Sequence, residues 1–309
     1  MMPWRGSMVA LVTPFRDDRV DEPALKRLVE FHIAQGTSAL VPCGTTGESA
    51  TLSHEEHDRV IETVVQTARG RIPVIAGTGS NNTKEAVRLT KHAKDAGADA
   101  ALLIAPYYNK PTQRGLYLHF KAIAESVDLP LVPYNIASRT AVNIEPETFA
   151  RLAEDCPTIA AVKEASGNLE QMSRILQLTR RKIALLSGDD ALTLPVLSIG
   201  GTGVISVVAN LVPKDVAALV SAFERGKLAQ AAEWHHKLLP LVRAMFIETN
   251  PIPVKTAMGL LGMIEAQLRL PLCAMEGANL EKLKTVLAAY GLSGMPPSRG
   301  TRRVASKVS

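Results

Sequence analysis

Lys163 stands near the end of an apolar run, IAAVKEAS at residues 159–166, where a solvated surface lysine is unexpected. A lysine amine has an ordinary pKa of about 10.4, so at neutral pH only about one in two thousand is uncharged. Desolvation disfavours the ammonium form, and a pKa of about 7.5 would reflect roughly 4 kcal/mol, within the range that buried lysines show. Such an amine can attack a ketone and form a Schiff base. The plain alternative is a snorkelling strand end with its ammonium in water, and the segment alone leaves both readings open.

Other polar residues are grouped in short stretches. Gly44-Thr45-Thr46-Gly47-Glu48-Ser49 offers backbone N–H groups and hydroxyls to an anion. It lacks the G-x-x-x-x-G-K of a phosphate loop, which leaves a carboxylate nest or an ordinary turn. Tyr134 could pass a proton, or pack as an aromatic at the mouth of a barrel. Arg139 could clasp a carboxylate with two parallel hydrogen bonds, or form a surface ion pair. His54 and His57, three residues apart, supply only two metal ligands with no third cluster evident, so solvated first-turn histidines or a small-molecule contact fit better. Asp189 and Asp190 could hold Mg²⁺, but adjacent strand-end residues point in different directions, which favours a cap on the following helix.

These groups need elements to position them. Short β-rich runs recur along the first three quarters of the chain: SMVALVTPF, SALVPCG, IPVIAGTG, AALLIAPYY, PLVPYN, IAAVKEAS, IALLSGDD and GVISVVAN. Amphipathic helical stretches separate them, one opening with Ser53 and Glu56 spaced as a capping box. Eight such units, with near-continuous apolar strands, predict an α/β fold of the (β/α)8 TIM-barrel kind. A doubly wound open sheet would carry G-x-G-x-x-G after its first strand, and none occurs; GTGSNNT supplies only the first two glycines. Helical patterns at roughly 227–248, 252–265 and 279–290 predict a small C-terminal helical domain. The expected division is a catalytic barrel over 1–226, three helices over 227–292 and a disordered basic tail over 293–309. In such a barrel the polar groups named above fall at the carboxyl ends of strands, where barrel active sites are built.

The formal charge of +5 suggests nucleic acid until it is located. Arg299, Arg302, Arg303 and Lys307 lie in the terminal segment, which has no side-chain acid, and without them the side-chain balance of the body is near +1. No basic face then asks for a phosphate backbone. Cys43, Cys156 and Cys273 are too few and too scattered for a disulfide framework. With neither a membrane-length apolar run nor a signal-peptide progression, a cytoplasmic protein without membrane attachment is expected.

Taken in order, GTTGES, PYYNKPTQ, YNIASRT, VKEASGN, LLSGDD, GVISV and ETNPIPVK fall in the spacing of a known family over residues 6 to about 292. The chain closely resembles the dihydrodipicolinate synthase family of pyruvate-dependent class I aldolases. The resemblance implies a Schiff base between pyruvate and Lys163, with Thr45 and Thr46 at the pyruvate carboxylate. It implies a proton relay of Thr45, Tyr134 and Tyr108, with Tyr108 entering the adjacent subunit's site. Arg139 would hold the carboxylate of L-aspartate 4-semialdehyde, with Gly188 and the carbonyl of Ile205 also at the site. The product would be 4-hydroxy-tetrahydrodipicolinate, a precursor of diaminopimelate and lysine, made without metal or organic cofactor. A homotetramer built from two dimers is the usual family form. Ser49, Ala50, His54, His57, Asn81, Glu85 and Tyr107 match the pocket through which L-lysine inhibits sensitive members.

Three positions depart from the family pattern. Proline is usual where Ala137 stands, glycine is frequent at Ala141, and an aliphatic residue usually takes the place of Pro133. The first two bear on the loop of Arg139, and therefore on the second substrate. A sister aldolase acting on N-acetylneuraminate or a 2-keto-3-deoxy sugar acid is the nearest alternative, and it typically lacks the Ser-Arg pair present here. A barrel that binds a keto acid or amino acid without turnover is another; it would have no need to keep Thr45, Tyr108, Tyr134, Arg139 and Lys163 together.

Overall fold

The computed structural model describes residues 4–292. The basic tail expected at 293–309 lies outside the described residues. Eight strands form one parallel sheet: β1 (Gly6–Ala10), β2 (Ala39–Val41), β3 (Ile75–Gly77), β4 (Ala100–Ile104), β5 (Leu131–Asn135), β6 (Ala161–Glu164), β7 (Ala184–Ser187) and β8 (Gly203–Ser206). Their spatial order is β2-β1-β8-β7-β6-β5-β4-β3. A parallel bridge between Leu40 and Val74 joins the two ends, so the sheet closes on itself as a (β/α)8 barrel.

Alternation along the strands determines what faces the axis. Met8, Ala39, Val41, Ile75, Ala100, Leu102, Val132, Ala161, Ala184, Leu186 and Ile205 form one inner cluster, and Tyr134 belongs to it. The intervening positions, such as Leu103, Leu131, Val162 and Leu185, pack outward against helices. By the same period, the last inward residue of β6 is Lys163. Pro133 sits inside β5, opposite Leu103, and cannot donate to either neighbouring strand.

Between the strands run α1 (Glu22–Ala34), α2 (His54–Ala68), α3 (Thr83–Asp95), α4 (Gln113–Ser126), the single turn α5 (Ala137–Thr140), α6 (Pro146–Asp155), α7 (Leu169–Leu178) and α8 (Thr193–Ser198). After β8 comes α9 (Pro213–Glu224). The starts are written in the sequence: Asp21 caps α1, Asn82 caps α3, Thr112 caps α4, and both bonds of the Ser53–Glu56 capping box are made.

Among the described residues three helices follow the barrel: α10 (Leu228–Ala244), α11 (Ile252–Leu260) and α12 (Gly277–Tyr290). The pattern expected to run to 248 stops at Ala244, and the one expected to run to 265 stops at Leu260. Val254, Met258, Leu283 and Leu287 from these helices share one buried cluster with Leu25, Ile61 and Val64 of α1 and α2. The helices therefore rest on the barrel wall beside the segment that carries GTTGES.

Candidate active site

Strand β6 delivers Lys163 to the inner face, where its residue is only 6% exposed. Its neighbour in register on β5 is Tyr134, and the amine lies 3.9 Å from the centre of that ring. No hydrogen bond reaches Nζ of Lys163 among the described residues. Burial pushes the amine down to about 7; the Asp190 carboxylate opposes that shift and the Arg139 guanidinium adds to it. Gly188 makes room for the lysine stem: a Cβ there would meet Lys163 Cε at 3.1 Å and Ala165 Cβ at 2.7 Å. The same burial raises the Tyr134 phenol above its ordinary value, so at neutral pH it holds its proton and can donate it.

The loop after β2 supplies the hydroxyls. Thr46 is buried and its Oγ1 accepts a hydrogen bond from Asn250 Nδ2 at 3.0 Å, while Thr45 borders the open cleft. Arg139, on α5, donates from Nη2 to the Asn250 carbonyl at 3.2 Å. Asn250 thus joins the candidate carboxylate groups of two separate loops. Ile205 is buried in β8, in register with Met8, and no hydrogen bond links its carbonyl to Lys163 among the described residues.

The expected relay is not joined within one chain. Thr45 and Tyr134 both line the cleft, but no hydrogen bond connects them among the described residues. Tyr108 is 89% exposed, has a left-handed backbone (φ 72°) and is not among the residues lining the cleft of its own chain.

Residues expected to bind lysine gather nearby. A cleft of about 510 Å³ runs from Thr45, Tyr134 and Arg139 to Ser49, Ala50, His54, His57, Glu85 and Tyr107. His54 Nε2 lies 2.8 Å from Glu85 Oε1, and Ser80 Oγ donates to the other oxygen of that carboxylate. Asn81 Nδ2 donates to the Tyr107 carbonyl at 3.2 Å. His57 corrects the expectation of two solvated histidines. It is buried, with Nε2 2.9 Å from the Gly77 carbonyl, and burial pushes its pKa down to about 4.

The acidic pair after β7 divides its work. Asp189 caps the following turn through the Ala191 N–H, as the spacing predicts. Asp190 does not share that role: its buried Oδ2 accepts from the backbone N–H groups of Val207 (2.8 Å) and Val208 (3.2 Å), tying the loop after β7 to the one after β8. Glu48, within GTTGES, is fully buried with φ 53° and pairs with the buried Lys255 of α11 at 2.5 Å. Its second oxygen accepts from Arg269 N at 3.1 Å. Asn250 and the Glu48–Lys255 pair have no assignment in the sequence, and Asp190 corrects the expectation of a helix cap. Their only local signal is membership of the stretches ETNPIPVK, LLSGDD and GTTGES.

A closed (β/α)8 barrel with a buried amine at the mouth, unpaired among the described residues, defines the class: a barrel enzyme of the class I aldolase type. The pattern of the dihydrodipicolinate synthetase family matches residues 3–290. The 4-hydroxy-tetrahydrodipicolinate synthase of Syntrophus aciditrophicus is 59% identical over 291 residues, covering 94% of this chain and all of the relative. The crystal structure of dihydrodipicolinate synthase from Aquifex aeolicus superposes with a TM-score of 0.93 at 52% identity, covering 94% of this chain and 99% of that one. The dihydrodipicolinate synthase of Cyanidioschyzon merolae, solved with lysine bound, superposes at 0.92 with 42% identity, covering 94% and 100%. This chain belongs to the dihydrodipicolinate synthetase family, and it is a lyase.

Proposed function

We propose that this chain condenses pyruvate with L-aspartate 4-semialdehyde through a Schiff base on Lys163, giving 4-hydroxy-tetrahydrodipicolinate. The observation that carries the proposal is the Lys163 amine, buried beside Tyr134, without a hydrogen-bond partner among the described residues and pushed down to about 7. At that pKa about half of the amine is uncharged at neutral pH.

The amine adds to the ketone carbon of pyruvate, and loss of water leaves an iminium. Its positive nitrogen draws electrons from the neighbouring methyl group, which loses a proton to become an enamine. The enamine carbon attacks the aldehyde and forms the new C–C bond. The amino group of the second substrate then displaces Lys163 by transimination, closing the ring and freeing the enzyme amine. Thr45 and Thr46 hold the pyruvate carboxylate, Arg139 the carboxylate of the semialdehyde, and Tyr134 passes protons. Tyr108 serves the neighbouring subunit's site, so the working form is at least a dimer and, in this proposal, a homotetramer. No metal or organic cofactor enters these steps.

L-Lysine is proposed as an inhibitor at the far end of the cleft. Glu85 offers a carboxylate to one ammonium of the ligand, and Ser49, Asn81 and Tyr107 offer neutral polar groups beside it. A cytoplasmic setting completes the reading; Cys43 and Cys156 are free and buried, and Cys273 is free.

Borohydride reduction in the presence of pyruvate tests the first step. A stable mass increase on Lys163 is expected; an unmodified Lys163, or label on Lys255 instead, would overturn the mechanism. A coupled assay with pyruvate and aspartate semialdehyde, beside N-acetylneuraminate and 2-keto-3-deoxygluconate, tests the substrates. Turnover of a sugar acid alone would move the chain to a sister activity.

A further inference from the structure

Tyr134 and Lys163 face the barrel axis, so the residues that follow them, Asn135 and Glu164, face outward and lie in register with each other. Both are fully buried, and the chemistry at the barrel mouth uses neither. Glu164 accepts hydrogen bonds from Asn135 Nδ2 at 3.0 Å, from the Ser166 backbone N–H at 2.7 Å and from Gln171 Nε2 at 3.2 Å. These partners are neutral dipoles, and burial raises the Glu164 carboxyl above its ordinary range.

The amide and backbone N–H groups around Glu164 all donate to its carboxyl oxygens, so those oxygens set the orientation of the amides beside them. With Nδ2 of Asn135 turned to Glu164, its Oδ1 faces the Ile144 N–H, which donates at 2.9 Å. The same Nδ2 donates to Asn143 Oδ1 at 2.8 Å, and Asn143 Nδ2 donates to Gln171 Oε1 at 2.8 Å. From the other side Gln113 donates to the Asn143 carbonyl at 2.8 Å and accepts from the Glu145 N–H at 3.1 Å. Residues 143–145 are thereby fastened to strands β5 and β6 and to helices α4 and α7. The chain between this anchor and the end of β5 carries Arg139. It also carries Ala141 at φ 59°, a left-handed conformation that a residue with a Cβ holds only where its surroundings enforce it.

We propose that Glu164 is a positioning residue for Arg139: through Asn135 and Asn143 it anchors the loop 136–145 and so sets the enzyme's selectivity for its second substrate. The pyruvate step on the inner face does not depend on this anchor. The inference rests on the role given to Arg139 under Proposed function.

Two variants test it. Asn143→Ala removes the link nearest the loop, at a partly exposed position where folding is tolerant. Glu164→Gln keeps the shape but sets an amide NH2 among groups that all donate. Each is measured three ways: borohydride trapping of pyruvate, steady-state kinetics with aspartate semialdehyde, and hydrogen exchange of peptides covering 137–145 without substrate. Trapping within about twofold of the parent is expected, with a rise in semialdehyde KM of roughly tenfold or more, the scale that a misplaced binding group causes. Loop exchange should accelerate by a similar factor. Unchanged KM, or unchanged exchange, overturns the proposal, as does a loss of trapping equal to the loss of turnover. If the parent enzyme does not turn over the semialdehyde, the functional reading falls, and loop exchange alone decides whether Glu164 anchors the loop.

Discussion

Lys163 at the barrel mouth and Lys255 under the C-terminal helices are both buried lysines, 6% and 0% exposed. Desolvation pulls both amines below the ordinary lysine range. The difference lies in what opposes the pull. Lys255 has a carboxylate 2.5 Å away and the ring of Phe15 at 4.2 Å, so its charge is matched where it sits. Asp190 acts on Lys163 only through space: no hydrogen bond joins them among the described residues, and Oδ2 of Asp190 is turned to the backbone of Val207 and Val208. Burial alone therefore does not distinguish the two amines; the presence or absence of a bonded counter-ion does. One amine is left without a bonded counter-ion among the described residues, and the other bolts α11 to the GTTGES loop.

Lys163→Met gives the largest expected effect, a fall in kcat of about 10³-fold or more, read in the coupled assay. The same change should not weaken the fold. An unfolded lysine keeps its proton up to about pH 10, while folded Lys163 loses it near 7, so the unfolded state holds more protons across that window. Wild-type stability should accordingly rise with pH from 7 towards 10, and Lys163→Met should flatten the rise in thermal unfolding. A loss of stability in this variant would break the comparison.

Lys255→Met is expected to do the reverse. It strands the Glu48 carboxylate in a buried site, costing about 3–5 kcal/mol in urea unfolding, and the double variant Lys255→Met with Glu48→Leu should recover most of that. A third effect is confined to Lys163. Below pH 7 the initial rate of pyruvate trapping should drop nearly tenfold for each pH unit as the amine protonates; a flat profile would show that the amine is not the titrating nucleophile. The smallest effects lie in the Arg139 loop. Ala141→Gly should relieve the left-handed φ of 59° and raise stability by ~1 kcal/mol. Ala137→Pro should add about 0.5–1 kcal/mol, because Ala137 is the first residue of α5, where the N–H has no helical partner. Both are read as shifts in Tm.

The parts legible in the sequence are those governed by short-range rules. Seven of the eight β-rich runs contain a whole barrel strand and the first misses only Gly6 of β1, the Ser53–Glu56 spacing closes its capping box, and Asp189 caps the next turn. Lys163 was legible because a charged residue interrupts an apolar strand. Asn250, Glu48 and Lys255 were not, because their meaning lies in pairings that span 204 and 207 residues. No periodicity encodes such distances. The helical patterns overrun the ends of α10 and α11, because apolar residues continue past the last hydrogen-bonded turn into packed irregular chain, as Met245 and Ile264 do. Asp190 misled for a related reason: its side chain serves backbone groups of a strand end that follows 17 residues later.

The long separation of those pairs bears on how the protein is made. During synthesis the barrel strands leave the ribosome before the helices that follow them, and Glu48 emerges 207 residues before the lysine that neutralises it. At about 5–20 residues per second that interval lasts roughly 10–40 s. Arg139 likewise waits 111 residues for the Asn250 carbonyl. A nascent barrel can thus close before its mouth is assembled, and the helices translated after the barrel are the ones that complete it.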